Sequence, residues 1–221
     1  MDEVGERSDS RRDFLKKSVV VGAAVWTAPA VLSLPGGKAW AQQYPVCNCN
    51  ADAYGLRVII PLLSFDQTFG VGGCIADTGS LGSPTIATVR AKVVCGEASS
   101  SVDGVCSADA NVDKVLITVG NPATLRIAAT VLQTSAGAAC GTCNTTGNFS
   151  IVNLQVNGTT INVGGVCNFH PLGLTAVTIN EQTCNGDTLS VNAIHVNVPG
   201  VIEVIVSHSE AGATGCPCTT C

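Results

Sequence analysis

The chain has 221 residues, a formal net charge of −5, 46% hydrophobic but only 4% aromatic residues, and 12 cysteines. That length suits one domain whose core buries about 70% of the surface an unfolded chain exposes. The acidic balance and sparse Lys and Arg point away from nucleic acid, whose phosphates require clustered cations.

Positions 10–16 read Ser-Arg-Arg-Asp-Phe-Leu-Lys, followed by an apolar stretch from Ser18 to Leu34 and by Ala39-Trp40-Ala41, a small-x-small site for cleavage before Gln42. This segment resembles a twin-arginine signal peptide. The resemblance implies that Arg11 and Arg12 are read by the twin-arginine translocase, which exports folded proteins, and that a signal peptidase cuts at Ala39 and Ala41. The apolar run is short for a ~20-residue membrane span, carries Pro29 and ends in Pro35-Gly36-Gly37-Lys38, so no stable span is expected after cleavage. Residues 1–41 are therefore expected to be the signal peptide and residues 42–221 a single secreted β domain.

Without residues 1–41 the chain keeps five basic residues (Arg57, Arg90, Lys92, Lys114, Arg126) and 11 acidic ones, a net charge of −6. The five cations are scattered along the sequence, which leaves no expectation of nucleic-acid binding. No Trp or Met remains, so the core must be built from Val, Ile, Leu and Ala.

Period-2 alternation between turn signals recurs, and helical periodicity does not. Strands are expected at Tyr54–Leu62, Thr85–Cys95, Val112–Val119 and Leu125–Gln133, the last two joined through Gly120-Asn-Pro-Ala123. Ser150 to Asn157 alternates Val152, Leu154 and Val156 with polar residues, and Asn157-Gly158 starts a return strand through Ile161 and Val163. Asn185-Gly186 joins Leu174–Thr183 to Thr188–Val198, and Pro199-Gly200 turns that strand into Val201–His208, a three-stranded meander. The expected fold is all-β, a disulfide-stabilised antiparallel β-sandwich of roughly nine or ten strands.

All the cysteines follow the cleavage site: Cys47, Cys49, Cys74, Cys95, Cys106, Cys140, Cys143, Cys167, Cys184, Cys216, Cys218 and Cys221. An even count in an exported chain reads as disulfides. Cys95 and Cys106 flank a small, polar segment that should reverse the chain and pair them. Residues 42–52 and 211–221 read as cysteine-pinned tails. A competing metal role falls on Cys140, Cys143, Cys216, Cys218 and Cys221, because C-x-x-C is a common ligand spacing. His170, His195 and His208 with Cys184 form a weaker zinc or copper set. His208 follows Ile202, Val204 and Val206 on one strand face and is expected to be a core or edge histidine, whereas His195 should point outward unless a bulge at Ala193-Ile194 shifts the phase.

One enzyme-like motif occurs, Asp77-Thr78-Gly79-Ser80, similar to the catalytic loop of aspartic proteases. There two carboxylates share a proton, so a single copy would need a symmetric dimer. The plain alternative is an Asp turn. No cofactor is implied.

Ala53-Tyr54-Gly55-Leu56, Val89 through Gly96, Ile179-Asn180-Glu181-Gln182, Val191 through Val196 and Val206-Ser207-His208-Ser209 resemble, in this order, the choice-of-anchor P family of surface proteins from high-GC Gram-positive bacteria. The resemblance covers nearly all of residues 42–221. It implies an exported, envelope-associated domain, here without a sortase-type motif or terminal hydrophobic span. Tyr44-Pro45-Val46-Cys47 is not a lipobox, so release or non-covalent wall attachment is expected. The functional expectation is a structural or adhesive domain at the cell surface, with cell-envelope components or other surface proteins as partners. A secreted hydrolase acting through Asp77 and a metal-binding module are the alternatives.

Overall fold

A computed structural model describes residues 48–100, 104–120, 123–218 and 220. Arg11, Arg12, Ala39, Ala41, Cys47 and Cys221 lie outside the described residues. The described residues belong to one compact unit, Gln43–Cys221.

Among the described residues twelve strands follow in order: β1 (Cys49–Ile60), β2 (Phe65–Phe69), β3 (Gly73–Asp77), β4 (Leu81–Ser83), β5 (Ala87–Ser100), β6 (Val105–Val119), β7 (Leu125–Ala139), β8 (Asn144–Val156), β9 (Thr159–Thr160), β10 (Val177–Asn185), β11 (Thr188–Val198) and β12 (Ile202–Ala213). They form two antiparallel sheets, one ordered β10-β11-β12-β1-β2 and the other β3-β5-β6-β7-β8-β9 with β4 also on β5. The all-β sandwich matches the sequence expectation, and the meander is β10-β11-β12. The extra strands β2, β3 and β4 come from 65–83, where runs of three to five residues are too short to show alternation. Of the expected cysteine-pinned tails, Cys49 to Asp52 on β1 pair with Ala213 to Glu210 on β12 and extend the first sheet, and Cys49, Cys216 and Cys218 are pinned by disulfides.

Alternation along each long strand fills the space between the sheets. Leu56, Val58 and Ile60 on β1 meet Val89, Ile117 and Ile127 of the second sheet, all fully buried. Each such side chain contributes about 1.5–3 kcal/mol on burial. A second cluster of Ala136, Ala138, Leu189, Val191, Ala211 and the Cys106 and Cys216 sulfurs fills the other end with smaller side chains.

A transverse crease separates the two clusters. In the first sheet the ladder skips Asn180, Ala193, Ser207 and Gly55, neighbours across four strands. In the second it skips Ala76, Val93, Asp113 and Val131. Asn180, Ser207, Val93 and Val131 take φ of 51°, 53°, 46° and 50°, a conformation that costs a β-branched residue about 1–3 kcal/mol. Each strand thereby shifts its inward phase by one residue as it crosses the row. At the crease Ser207 Oγ donates to Ala110 O at 3.0 Å, Ser209 Oγ donates to Thr134 O at 3.0 Å, and the Thr134 and Ser209 hydroxyls lie 2.8 Å apart. Polar groups buried between the sheets are thus satisfied across them.

The cysteines staple this sandwich. Cys49–Cys106 ties one sheet to the other and Cys74–Cys95 links adjacent strands. Cys143–Cys216 and Cys184–Cys218 fix the segment after β12 to both sheets. Cys140 and Cys167 are also disulfide-bonded. The expected Cys95–Cys106 pair does not form, because β5 and β6 continue to Ser100 and Val105 and put Cys95 opposite Asn111 and Cys106 opposite Ser100. Cys106 points inward and is 1% exposed, while Cys95 faces outward beside Cys74.

Candidate functional site

Among the described residues, disulfide bonding removes the sulfur-based metal candidates, Cys221 lying outside them. Cys140, Cys143, Cys216 and Cys218, together with Cys184 of the histidine set, are engaged in disulfides and are not thiolate ligands. The three imidazoles also lie apart in role. His170 is exposed on the loop before β10, its Nδ1 2.8 Å from Val177 O.

His195 and His208 share the outer face of the first sheet. His208 is buried but does not share the face of Ile202, Val204 and Val206: those three face inward, Ser207 shifts the phase, and Ser209 rather than His208 continues the inward series. His208 is only 8% exposed, because Tyr54 on β1 stacks over its ring with centroids 4.4 Å apart. A phase shift does occur at Ala193-Ile194, where both side chains are inward, and His195 beyond it faces outward.

Register then assembles a polar network. Asn192 pairs with Glu181 on one side and His208 on the other. Asn192 Nδ2 donates to Glu181 Oε2 at 2.6 Å, and its Oδ1 lies 2.6 Å from His208 Nδ1, which must donate to it. His195 Nδ1 donates to Glu181 Oε1 at 2.9 Å; its Nε2 lies 3.3 Å from Glu203 Oε1 and makes no hydrogen bond. Ser190 Oγ donates to Glu210 Oε2 at 2.6 Å, so this hydroxyl is committed to a carboxylate rather than an imidazole. The Glu181 hydrogen bond raises the His195 pKa, and burial lowers that of His208. For Glu181, burial pushes the carboxyl up, but the bonds from His195 and Asn192 prevail and hold it below its usual value. Burial pushes the Tyr54 phenol up to about 12.

These shifts give a pH signature. The contribution of His195 is full below its ordinary pKa of 6.5 and is lost as pH rises through its raised folded value. That of His208 is present above 6.5 and is lost as pH falls through its lowered folded value. An NMR titration of the two imidazoles is expected to place His195 above 6.5 and His208 below it. Coincident titration would mean that the Asn192–Glu181 network does not hold them.

Asp77 ends β3 and lies at the surface. Its carboxylate takes Arg90 Nη2 at 2.7 Å and the Gly79 N–H at 2.8 Å, an Asp turn. The Arg90 hydrogen bond, aided by Gly79, holds its pKa at about 2. This pairing with Arg90 favours the ionised carboxylate.

On the outer face of the second sheet, register gathers what the sequence disperses. Lys92 stands directly opposite Lys114, Arg90 is opposite Leu116, and Arg126 is opposite Thr118. Arg90, Lys92, Lys114 and Arg126 border one hollow of about 400 Å3. Four of the five cations after residue 41 therefore converge, which corrects the expectation that they are scattered.

Comparison with protein families, curated proteins and solved structures finds no match to this chain.

Proposed function

We propose that the protein is an exported structural or adhesive module of the cell surface, carried out by the twin-arginine route through Arg11 and Arg12, cleaved after Ala41, and held at or released from the cell wall. The observation that carries this reading is the set of disulfides between strands and between sheets, since such bonds form and persist in an oxidising compartment. The resemblance to choice-of-anchor P surface proteins adds to the same reading. Its partners are cell-envelope components met by outward-facing side chains on a rigid scaffold.

Replacing Arg11 and Arg12 together by Lys is expected to abolish export while leaving the folding of purified, oxidised residues 42–221 unchanged. Immunoblots of cell and culture fractions decide the matter. Undiminished export of the double variant would contradict the proposed route.

A further inference from the structure

The basic hollow on the second sheet has the chemistry of a ligand site that the surface-module reading leaves unassigned. Lys92, Lys114 and Arg126 are exposed and form no ion pair among the described residues; only Arg90 is paired, with Asp77. Lys92 stands between Asp77 on β3 and Lys114 on β6, and the Lys92–Lys114 side of that row is a like-charge pair directly opposite across two strands, which destabilises a sheet. This concentration of cations sits on a domain whose net charge is −6.

The rest of the lining narrows the ligand class. Leu116, 37% exposed, lies beside Ala128 and makes an apolar floor. Gln155 is opposite Ala128, and Asn153 Nδ2 donates to Thr130 Oγ1 at 3.0 Å, leaving amide oxygens and hydroxyl lone pairs at the rim. No aromatic side chain lines the hollow, so it lacks the stacking platform by which proteins hold single-stranded nucleic acid.

The direction of a long ligand also follows. Past the crease, Glu97 on β5 stands opposite Asp109 on β6, a pair of like negative charges on the same outer face. A polyanion running along the strands would meet them. A path across the strands from β5 to β8 keeps to the rows that hold the four cations and avoids that pair.

The geometry points to a site for a hydroxylated polyanion, a polymer whose units carry hydroxyl groups and a phosphate or carboxylate, bound across β5–β8 by Lys92, Lys114 and Arg126. The cations take the anionic groups, the Leu116–Ala128 floor takes the carbon skeleton, and Gln155 and Asn153 take hydroxyls. This inference rests on the surface-module reading for its biological setting, but its chemistry stands on the hollow alone.

The test uses the oxidised protein and measures binding to poly(ribitol phosphate) and to polygalacturonate, with dextran and single-stranded DNA as controls. Binding to either hydroxylated polyanion, falling steeply with salt, supports the site, and the better polymer distinguishes phosphate from carboxylate. Lys92→Gln with Lys114→Gln is expected to weaken that binding at least about tenfold and to lower the salt slope by about one unit per cation removed. Glu97→Gln with Asp109→Asn, on the same face beyond the crease, should leave binding equal or tighter. Circular dichroism of each variant shows that the sandwich is intact. No binding to either polymer, equal binding of dextran, tighter binding of DNA, or retention of affinity in the double Lys variant would each overturn the site. Those failures are read on purified protein, separately from the export assay that tests the surface role.

Discussion

Val204→Asp is expected to leave the domain unfolded. Val204 is 0% exposed and lies in the main core cluster, inward on β12 between Val58 of β1 and Val196 of β11 in register. A carboxylate there loses its water without gaining a partner, a cost of several kcal/mol against a typical net stability of about 5–15 kcal/mol. The adjacent Glu203 supplies the control. Its side chain is on the opposite face, 37% exposed, with one contact to His195. Glu203→Gln should change stability by less than about 1 kcal/mol. Chemical denaturation followed by circular dichroism separates the two, and equal, mild effects would mean that the register of β12 is wrong.

Reduction of the disulfides should have an effect of similar size. Cys49–Cys106 closes 57 residues, Cys143–Cys216 closes 73 and Cys184–Cys218 closes 34. Each typically contributes about 2–4 kcal/mol by restricting the unfolded chain. Four such bonds together rival the whole stability of an ordinary domain. The cluster around Cys106 and Cys216 is built otherwise from Ala, Val and Leu, so the end of the sandwich with the smaller core depends most on them. The thermal midpoint is expected to fall by tens of degrees in reductant, as about 1 kcal/mol moves it by roughly 2–4 °C in a domain of this size. Cys49→Ser with Cys106→Ser should reproduce part of that loss. An unchanged midpoint under full reduction would contradict the stapled core.

The meander was legible because Asn185-Gly186 and Pro199-Gly200 mark its turns and the strands between them are long enough to alternate. The all-β class followed from the same signals repeated. Side-chain phase was not legible wherever a strand crosses the crease. Extending the series Ile202, Val204, Val206 put His208 on their face, whereas the left-handed Ser207 turns the next inward position to Ser209 and leaves His208 buried on the opposite face. Such a bulge leaves a faint trace, two neighbours on one face, as in the inward Ala193-Ile194 and the outward Asp113-Lys114. The Cys95–Cys106 error has a related cause. The polar residues 96–104 resemble a loop, but the ladder holds Gly96 to Ser100 in strand and leaves only a short connection.

The basic hollow was hidden for a topological reason. Arg90 and Arg126 are 36 positions apart in sequence, yet β5, β6 and β7 are successive neighbours in one sheet, so antiparallel pairing brings their outward cations together. Period-2 arithmetic gives the face of each residue, but only the register gives its cross-strand neighbour. The Glu181–Asn192–His208 line arises likewise from three strands, each residue unremarkable in its own segment.

The most direct test of the surface-module account is the intact mass of the native protein recovered from outside the cell membrane, measured without reduction. The account predicts a chain that begins at Gln42 and is lighter than its fully reduced form by two hydrogens for every disulfide. A full-length chain that begins at Met1, carries free thiols and is confined to the cytosol would contradict it.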